Sequence, residues 1–297
     1  MTTATAAQRR WLAAHWPFVQ SHVPPAPGHV LEIGCGPAGG FVPAMREHGY
    51  DAIGVDPAAP SEPSYHQTTF EHHEPAEPAD AIVACTSLHH VGDVDEILDR
   101  VTATLTPGGV LIVVEWAYER FDESTARWCF DRLSDADGPG WLHGHRDGWL
   151  ASDQPWHAYL GAWAQREQLH SGQAITQALQ RRFDTSTFTL APYFFPDLHD
   201  TGEADELSAA NCGTIQATGI RYVATKPAIA GTPAVTVGCS VVLEVDRALV
   251  HLVQGCSLAL HRRFGFTEVG TFREYALKNG RYISSVWMQR PTPFHRR

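Results

Sequence analysis

The chain has 297 residues, 43% hydrophobic and 19% charged, an ordinary globular balance with enough length for a large core plus a smaller unit. A formal net charge of −11 argues against a general nucleic-acid binder, whose affinity rests on a basic surface. No apolar run is long enough to span a bilayer, no secretory signal opens the chain, and the six scattered cysteines form no C-x-x-C pair. The expectation is therefore a cytoplasmic protein with no membrane partner, no disulfide framework and no thiolate metal site.

The first 20 residues read as an amphipathic helix, with Trp11, Leu12, Trp16 and Phe18 available for packing, before Pro24, Pro25 and Pro27 break the pattern. His29–Ile33 is a short apolar strand, followed by a glycine-rich loop and a helix over 41–48 that Gly49 ends. Strands are predicted at 50–56, near 65–69 and at 80–87. Residues 93–105 are helical, with Ile97, Leu98, Val101 and Leu105 on one face, and Pro107, Gly108 and Gly109 turn the chain into a strand over 110–115. Such alternation predicts an α/β fold: a parallel sheet with helices on both faces. Helix signals follow over 119–133, then a loop rich in Trp, His and Gly over 138–149, then a long helical region over 156–183. Two later strands, 185–193 and Gly219–Thr225, flank a helix from about Ala204.

The loop VLEIGCGPAGG (residues 30–40) holds Gly34, Gly36 and Gly39 at the G-x-G-x-x-G spacing of a dinucleotide site. A pyrophosphate there needs amide donors at a helix start. Glu32 instead adds an anion at the strand end, and Pro37 removes one N–H. S-adenosylmethionine has no phosphate and carries an ammonium and a sulfonium, so a carboxylate beside the loop suits it. Asp56, at the end of the second strand, can accept the ribose hydroxyls of either ligand.

VLEIGCGPAGG, GVD, ADAIVACTSLHHV and LTPGGVLIVVEW, in that order over roughly residues 29–116, resemble the class I S-adenosylmethionine-dependent methyltransferases. The resemblance extends over residues 1–226 and implies a Rossmann-like sheet whose last strand inserts antiparallel at the edge. It implies S-adenosylmethionine as cofactor, with Glu32, Gly34, Cys35 and Gly36 at its methionine part. Asp56, followed by Pro57, would hold the ribose, Phe70 and Glu71 the adenine, and Ser87, Leu88 and His89 would lie beside the methyl. Plain packing is the alternative for Phe70 and Leu88. His89, His90 and Glu115 are the candidate bases, with a structural histidine or a helix-capping acid as the alternative roles. His143 and His145 make a weak metal pair, and solvated or lid histidines suit HGH better; no metal is expected. The aromatic residues over 117–200, Trp141 and Tyr193 among them, suit a pocket for a small, partly apolar molecule, while Trp156, Tyr159 and Trp163 have core spacing.

Residues 257–291, with a helix carrying ALHRRFGF, the strand TEVGTF and the strand GRY…VWMQR, resemble the C-terminal end of GNAT-type N-acetyltransferases of the phosphinothricin group. That family's pyrophosphate loop is not found over 227–256, so His261 has no cofactor cradle. The predicted organisation is a methyltransferase domain over 1–226, a linker over 227–246 and an incomplete α+β segment over 247–297. Methyl transfer to a small molecule is the expected activity. A bifunctional methyltransferase/acetyltransferase and a non-catalytic cofactor-binding protein with an interaction tail are the alternatives.

Overall fold

The strands β1 (His29–Ile33), β2 (Asp51–Val55), β3 (Tyr65–His66), β4 (Ala79–Cys85), β5 (Leu105–Trp116), β6 (Asp184–Ala191) and β7 (Gly219–Thr225) form one sheet in the order 3-2-1-4-5-7-6. β1 to β5 are parallel, and β7 runs antiparallel between β5 and β6. The computed structural model describes residues 6–134 and 140–227, and the backbone alone of 267–278 and 281–289. The chain divides into two units, Met1–Gly231 and Thr232–Arg297.

Alternating side chains explain why the sheet is covered on both faces. Leu31 and Ile33 of β1, Ile82 and Ala84 of β4, and Leu111 and Val113 of β5 share one hydrophobic cluster. Their neighbours Val30, Ala81, Val83, Ile112 and Val114 belong to a second one on the other face. α1 (Ala6–His22) and α2 (Val42–Glu47) contribute Val19, Val42 and Met45 to the second. On the first face lie α3 (Val94–Thr104), with Ile97, Leu98 and Val101, and a later helix over 172–182 with Ile175 and Leu179. Asp93 caps α3, its Oδ1 accepting from the amides of Asp95 and Glu96.

A third, aromatic cluster grows from the C-terminal end of β5. Trp116 and Phe121 pack there with α4 (Glu123–Phe130), α5 (Trp141–Ser152) and α6 (Trp156–Arg166). α5 overturns the expected loop at 138–149. Gly144 and Gly148 weaken helix propensity, but Leu142, His145 and Trp149 form a buried helical stripe, and burial outweighs propensity. Gly148 has a packing reason, since a Cβ there would lie 2.6 Å from the Tyr159 hydroxyl. His143 and His145 are therefore interior residues and not solvated ones. The expected helical region over 156–183 is two helices: the chain turns at Gln168, with φ 55°, and α7 (Gly172–Arg182) starts afresh with Ser171 as cap. The side chain of Glu119 also reaches α7, accepting from the amides of Gly172 at 3.0 Å and Gln173 at 2.8 Å. α8 (Glu203–Asn211) precedes β7.

In the second unit, β8 (Thr267–Lys278) and β9 (Arg281–Gln289) pair antiparallel, from Thr267 opposite Gln289 to Lys278 opposite Arg281. β8 runs past the end of the TEVGTF segment predicted as a strand. The expected helix with His261 and most of the predicted linker lie outside the described residues. Among the described residues no helix is long and apolar enough to cross a membrane.

Candidate active site

The loop after β1 is built around a buried acid. Glu32 is 1% exposed, and its Oε2 accepts from the Phe41 amide at 2.8 Å. The chain wraps so closely that Gly40, at φ +56°, has no room for a Cβ against the Glu32 carboxyl. Burial pushes the Glu32 pKa up to about 8, against the pull of the Phe41 and Val42 amides; the nearby charge of Asp56 adds to the rise. Asp56 accepts from the Gly36 amide at 3.1 Å and from the Ala58 amide at 2.7 Å, so the end of β2 touches the loop. Gly36, with φ +62°, has open space where a Cβ would stand.

At the end of β4, Thr86 takes the left-handed conformation, φ 50°, while its amide donates to Val114 at 2.8 Å. A β-branched residue in that region is strained, here at the point where the strand turns away from the sheet. Glu32, Gly36, Cys85 and Thr86 form one side of a cleft of about 430 Å³. Trp11 of α1, Trp141 at the start of α5, Tyr193 and Asp197 stand on another side of it.

That wall is fixed from outside the cleft. The Tyr193 ring stacks on Trp116, centroids 5.9 Å apart and planes 8° from parallel. Glu206 of α8 is fully buried and accepts from the amides of Tyr193 at 2.8 Å and Phe195 at 2.7 Å. The Trp141 indole donates to Asp197 at 3.2 Å. Burial raises the Asp197 pKa, against that hydrogen bond and the charge of Arg10.

The structure brings Glu32, Gly34, Cys35 and Gly36 together on the cleft, with Asp56 hydrogen-bonded to Gly36 and the exposed Pro57 after it. Ser87 packs against Gly34, its Oγ buried. Leu88 and Phe70 are core residues, Phe70 also lying under Arg100, and neither lines the cleft. Glu71 sits beside Phe70 in a short helical turn, also away from the cleft.

Glu115 is 0% exposed. Its carboxylate accepts from the amides of Leu88 at 2.9 Å and Trp116 at 2.8 Å and pairs with the His89 ring. No part of it reaches the cleft, which corrects its assignment as a base. Burial pulls the His89 pKa down, and the charge and hydrogen bond of Glu115 outweigh it, leaving the ring above the usual histidine value. His89 is thus a structural partner, and His90, exposed beside it at 4.1 Å between centroids, also lies outside the cleft.

Sequence reasoning missed Cys85, Thr86, Gly40 and Asp197, and it read Trp11 as packing alone. Trp141 and Tyr193 were legible as aromatic pocket candidates, whereas no local pattern marks Asp197.

A family model described as a methyltransferase domain matches residues 6–182, from the first residue of α1 to the last of α7. The chain belongs to this methyltransferase family. The sheet order with its antiparallel β7 is the arrangement that the sequence resemblance to class I S-adenosylmethionine-dependent methyltransferases implied. A ubiquinone biosynthesis O-methyltransferase of Bradyrhizobium sp. (strain ORS 278) is 34% identical over 97 residues, 28% of this chain and 38% of the relative. The methyltransferase thus spans less than half the length of the curated relatives it matches. A phosphinothricin N-acetyltransferase of Streptomyces coelicolor is 54% identical over 50 residues, 16% of this chain and 29% of the relative. A solved putative S-adenosylmethionine dependent methyltransferase from Listeria monocytogenes aligns with TM-score 0.45 at 16% identity, over 72% of this chain and 99% of that one.

The residues present fit the cofactor. Glu32 is a buried carboxyl that lacks a cation, and the open space at Gly36 lets a ligand approach the backbone. The ammonium of S-adenosylmethionine is a cation of the kind that such a carboxyl would accept.

Proposed function

We propose that the enzyme transfers a methyl group to a small, partly apolar or aromatic molecule held against Trp11, Trp141 and Tyr193. The observation that carries this is the single cleft joining the glycine loop to the aromatic wall. S-adenosylmethionine, when bound, supplies a methyl activated by a sulfonium. Glu32, with the loop backbone, holds the amino-acid end, and Asp56 exchanges its bond to the Gly36 amide for the ribose hydroxyls. Ser87 helps to set the loop from the β4 side, and Phe70 and Glu71 shape the adenine end without lining the described cleft. Thr86 and Cys85 form the floor between cofactor and acceptor, and the aromatic wall excludes water and aligns the acceptor for in-line attack. The catalytic part comprises residues 1–226, followed by the linker over 227–246 and the acetyltransferase-like segment over 247–297.

Calorimetry with S-adenosylhomocysteine tests the cofactor site. Wild type binds, and Asp56→Ala weakens binding about 10-fold or more, because hydrogen bonds to a charged group are lost. Absence of binding to the wild type sinks the proposal.

A further inference from the structure

The acceptor end of the cleft carries a charge that the cofactor does not use. Resting on the methyl-transfer reading above, we propose that the acceptor is an amine, bound through its nitrogen to Asp197 between Trp141 and Tyr193 and methylated on that nitrogen. Among the described residues lining the cleft, the side-chain charges are the carboxyl groups of Glu32 and Asp197, with no Lys or Arg. Arg10, whose charge reaches Asp197, is not among the lining residues, so a phosphate or carboxylate acceptor would meet the carboxyl groups and no cation in direct contact. An ammonium meets a carboxylate and aromatic faces, both of which attract it.

The geometry holds Asp197 ready for this contact. Its Oδ2 takes the Trp141 indole hydrogen at 3.2 Å, and its amide donates to Phe194 at 2.9 Å. Glu206 anchors the same segment through Tyr193 and Phe195. The cation acting on Asp197 is Arg10, whose Nε donates to the Pro196 carbonyl at 3.0 Å. Burial drives the Tyr193 pKa well above its ordinary value, so its hydroxyl stays neutral and adds no competing charge.

Asp197 also completes the proton balance. A docked ammonium passes one proton to the carboxylate, a transfer that the raised Asp197 pKa favours, and regains its lone pair. The neutral nitrogen attacks the methyl carbon. The N–C bond forms as the C–S bond breaks, and the electron pair stays on sulfur, which becomes a neutral thioether. The product nitrogen is left positive. Asp197 then returns its proton to water.

The test uses the full chain saturated with S-adenosylhomocysteine and titrated with tryptamine, 2-phenylethylamine, 4-ethylphenol and 3-phenylpropionate, read by calorimetry. The same four compounds are then assayed for methyl transfer. The two amines bind about 10-fold or more tighter than the phenol and the carboxylate and gain an N-methyl group. Asp197→Asn raises the dissociation constant and KM of the amines about 10- to 100-fold, with S-adenosylhomocysteine affinity unchanged. Trp141→Phe, which keeps a ring and removes the donor to Asp197, weakens the amines less. Equal or better use of 4-ethylphenol overturns the amine assignment, as does loss of S-adenosylhomocysteine binding in Asp197→Asn, and both leave the methyltransferase standing. Failure of the wild type to bind S-adenosylhomocysteine overturns the underlying cofactor reading instead.

Discussion

Glu32 shows how far one residue can be read from sequence. Its position two before the first loop glycine makes a pyrophosphate ligand awkward, and that is visible in the string. What is not visible is that the loop wraps it until it is 1% exposed at the wall of the cleft. Burial holds its pKa at about 8, above its unfolded value of 4.5, so the folded protein keeps a proton that the unfolded chain gives up. The sign follows directly: this group's contribution to stability is full below pH 4.5 and is lost as pH rises toward about 8. Glu32→Gln is expected to remove this dependence. Chemical denaturation of the two proteins should show wild type losing up to about 1.4 kcal/mol per pH unit relative to the variant across that window. The variant should bind S-adenosylhomocysteine poorly, since the amide cannot answer the ammonium. Parallel pH–stability curves would remove Glu32 as a buried acid.

Elements were legible where burial and periodicity agree. β1, β4, β5 and β7 follow from apolar runs bounded by Gly and Pro, and α3 from its one-sided stripe and Asp93 cap. α5 was hidden because of its two glycines, of which Gly148 serves packing against Tyr159, a contact that exists only after folding. The same limit affected Glu115. An acid at a strand end beside a histidine looks alike whether it faces a substrate or the interior. Here it ties β5 to the turn after β4, through the Leu88 amide and the His89 ring. Glu115→Gln replaces an anion in a buried pair and leaves His89 without its partner charge, so it is expected to cost about 3 kcal/mol of stability. The thermal midpoint should fall, and methyl transfer below that midpoint should survive. A selective loss of kcat with an unchanged midpoint would return Glu115 to the role of base.

At the scale of the whole molecule, the motifs over residues 29–116 supply the glycine-loop half of the cleft, the half proposed to hold the cofactor. The other half is assembled from α1, the start of α5 and the segment after β6, parts distant in sequence that meet only once the sheet is built. Trp11 and Trp141 of that wall fall inside the family match over 6–182, and Tyr193 and Asp197 lie beyond it. The sheet itself closes at β7. Just past it, the Lys226 amide donates to Gly109 at 2.9 Å and its Nζ to the Leu105 carbonyl at 2.6 Å, pinning the chain back to β5. The paired strands β8 and β9 form a sheet of their own, and two strands alone bury little surface. A chain ending after residue 227 retains every strand of the large sheet and both of these pins. It is expected to unfold cooperatively and to bind S-adenosylhomocysteine with the affinity of the full chain, measured side by side by calorimetry. A truncated protein that folds but has lost the ligand would assign part of the cofactor site to residues 228–297, and the proposed domain division would be wrong.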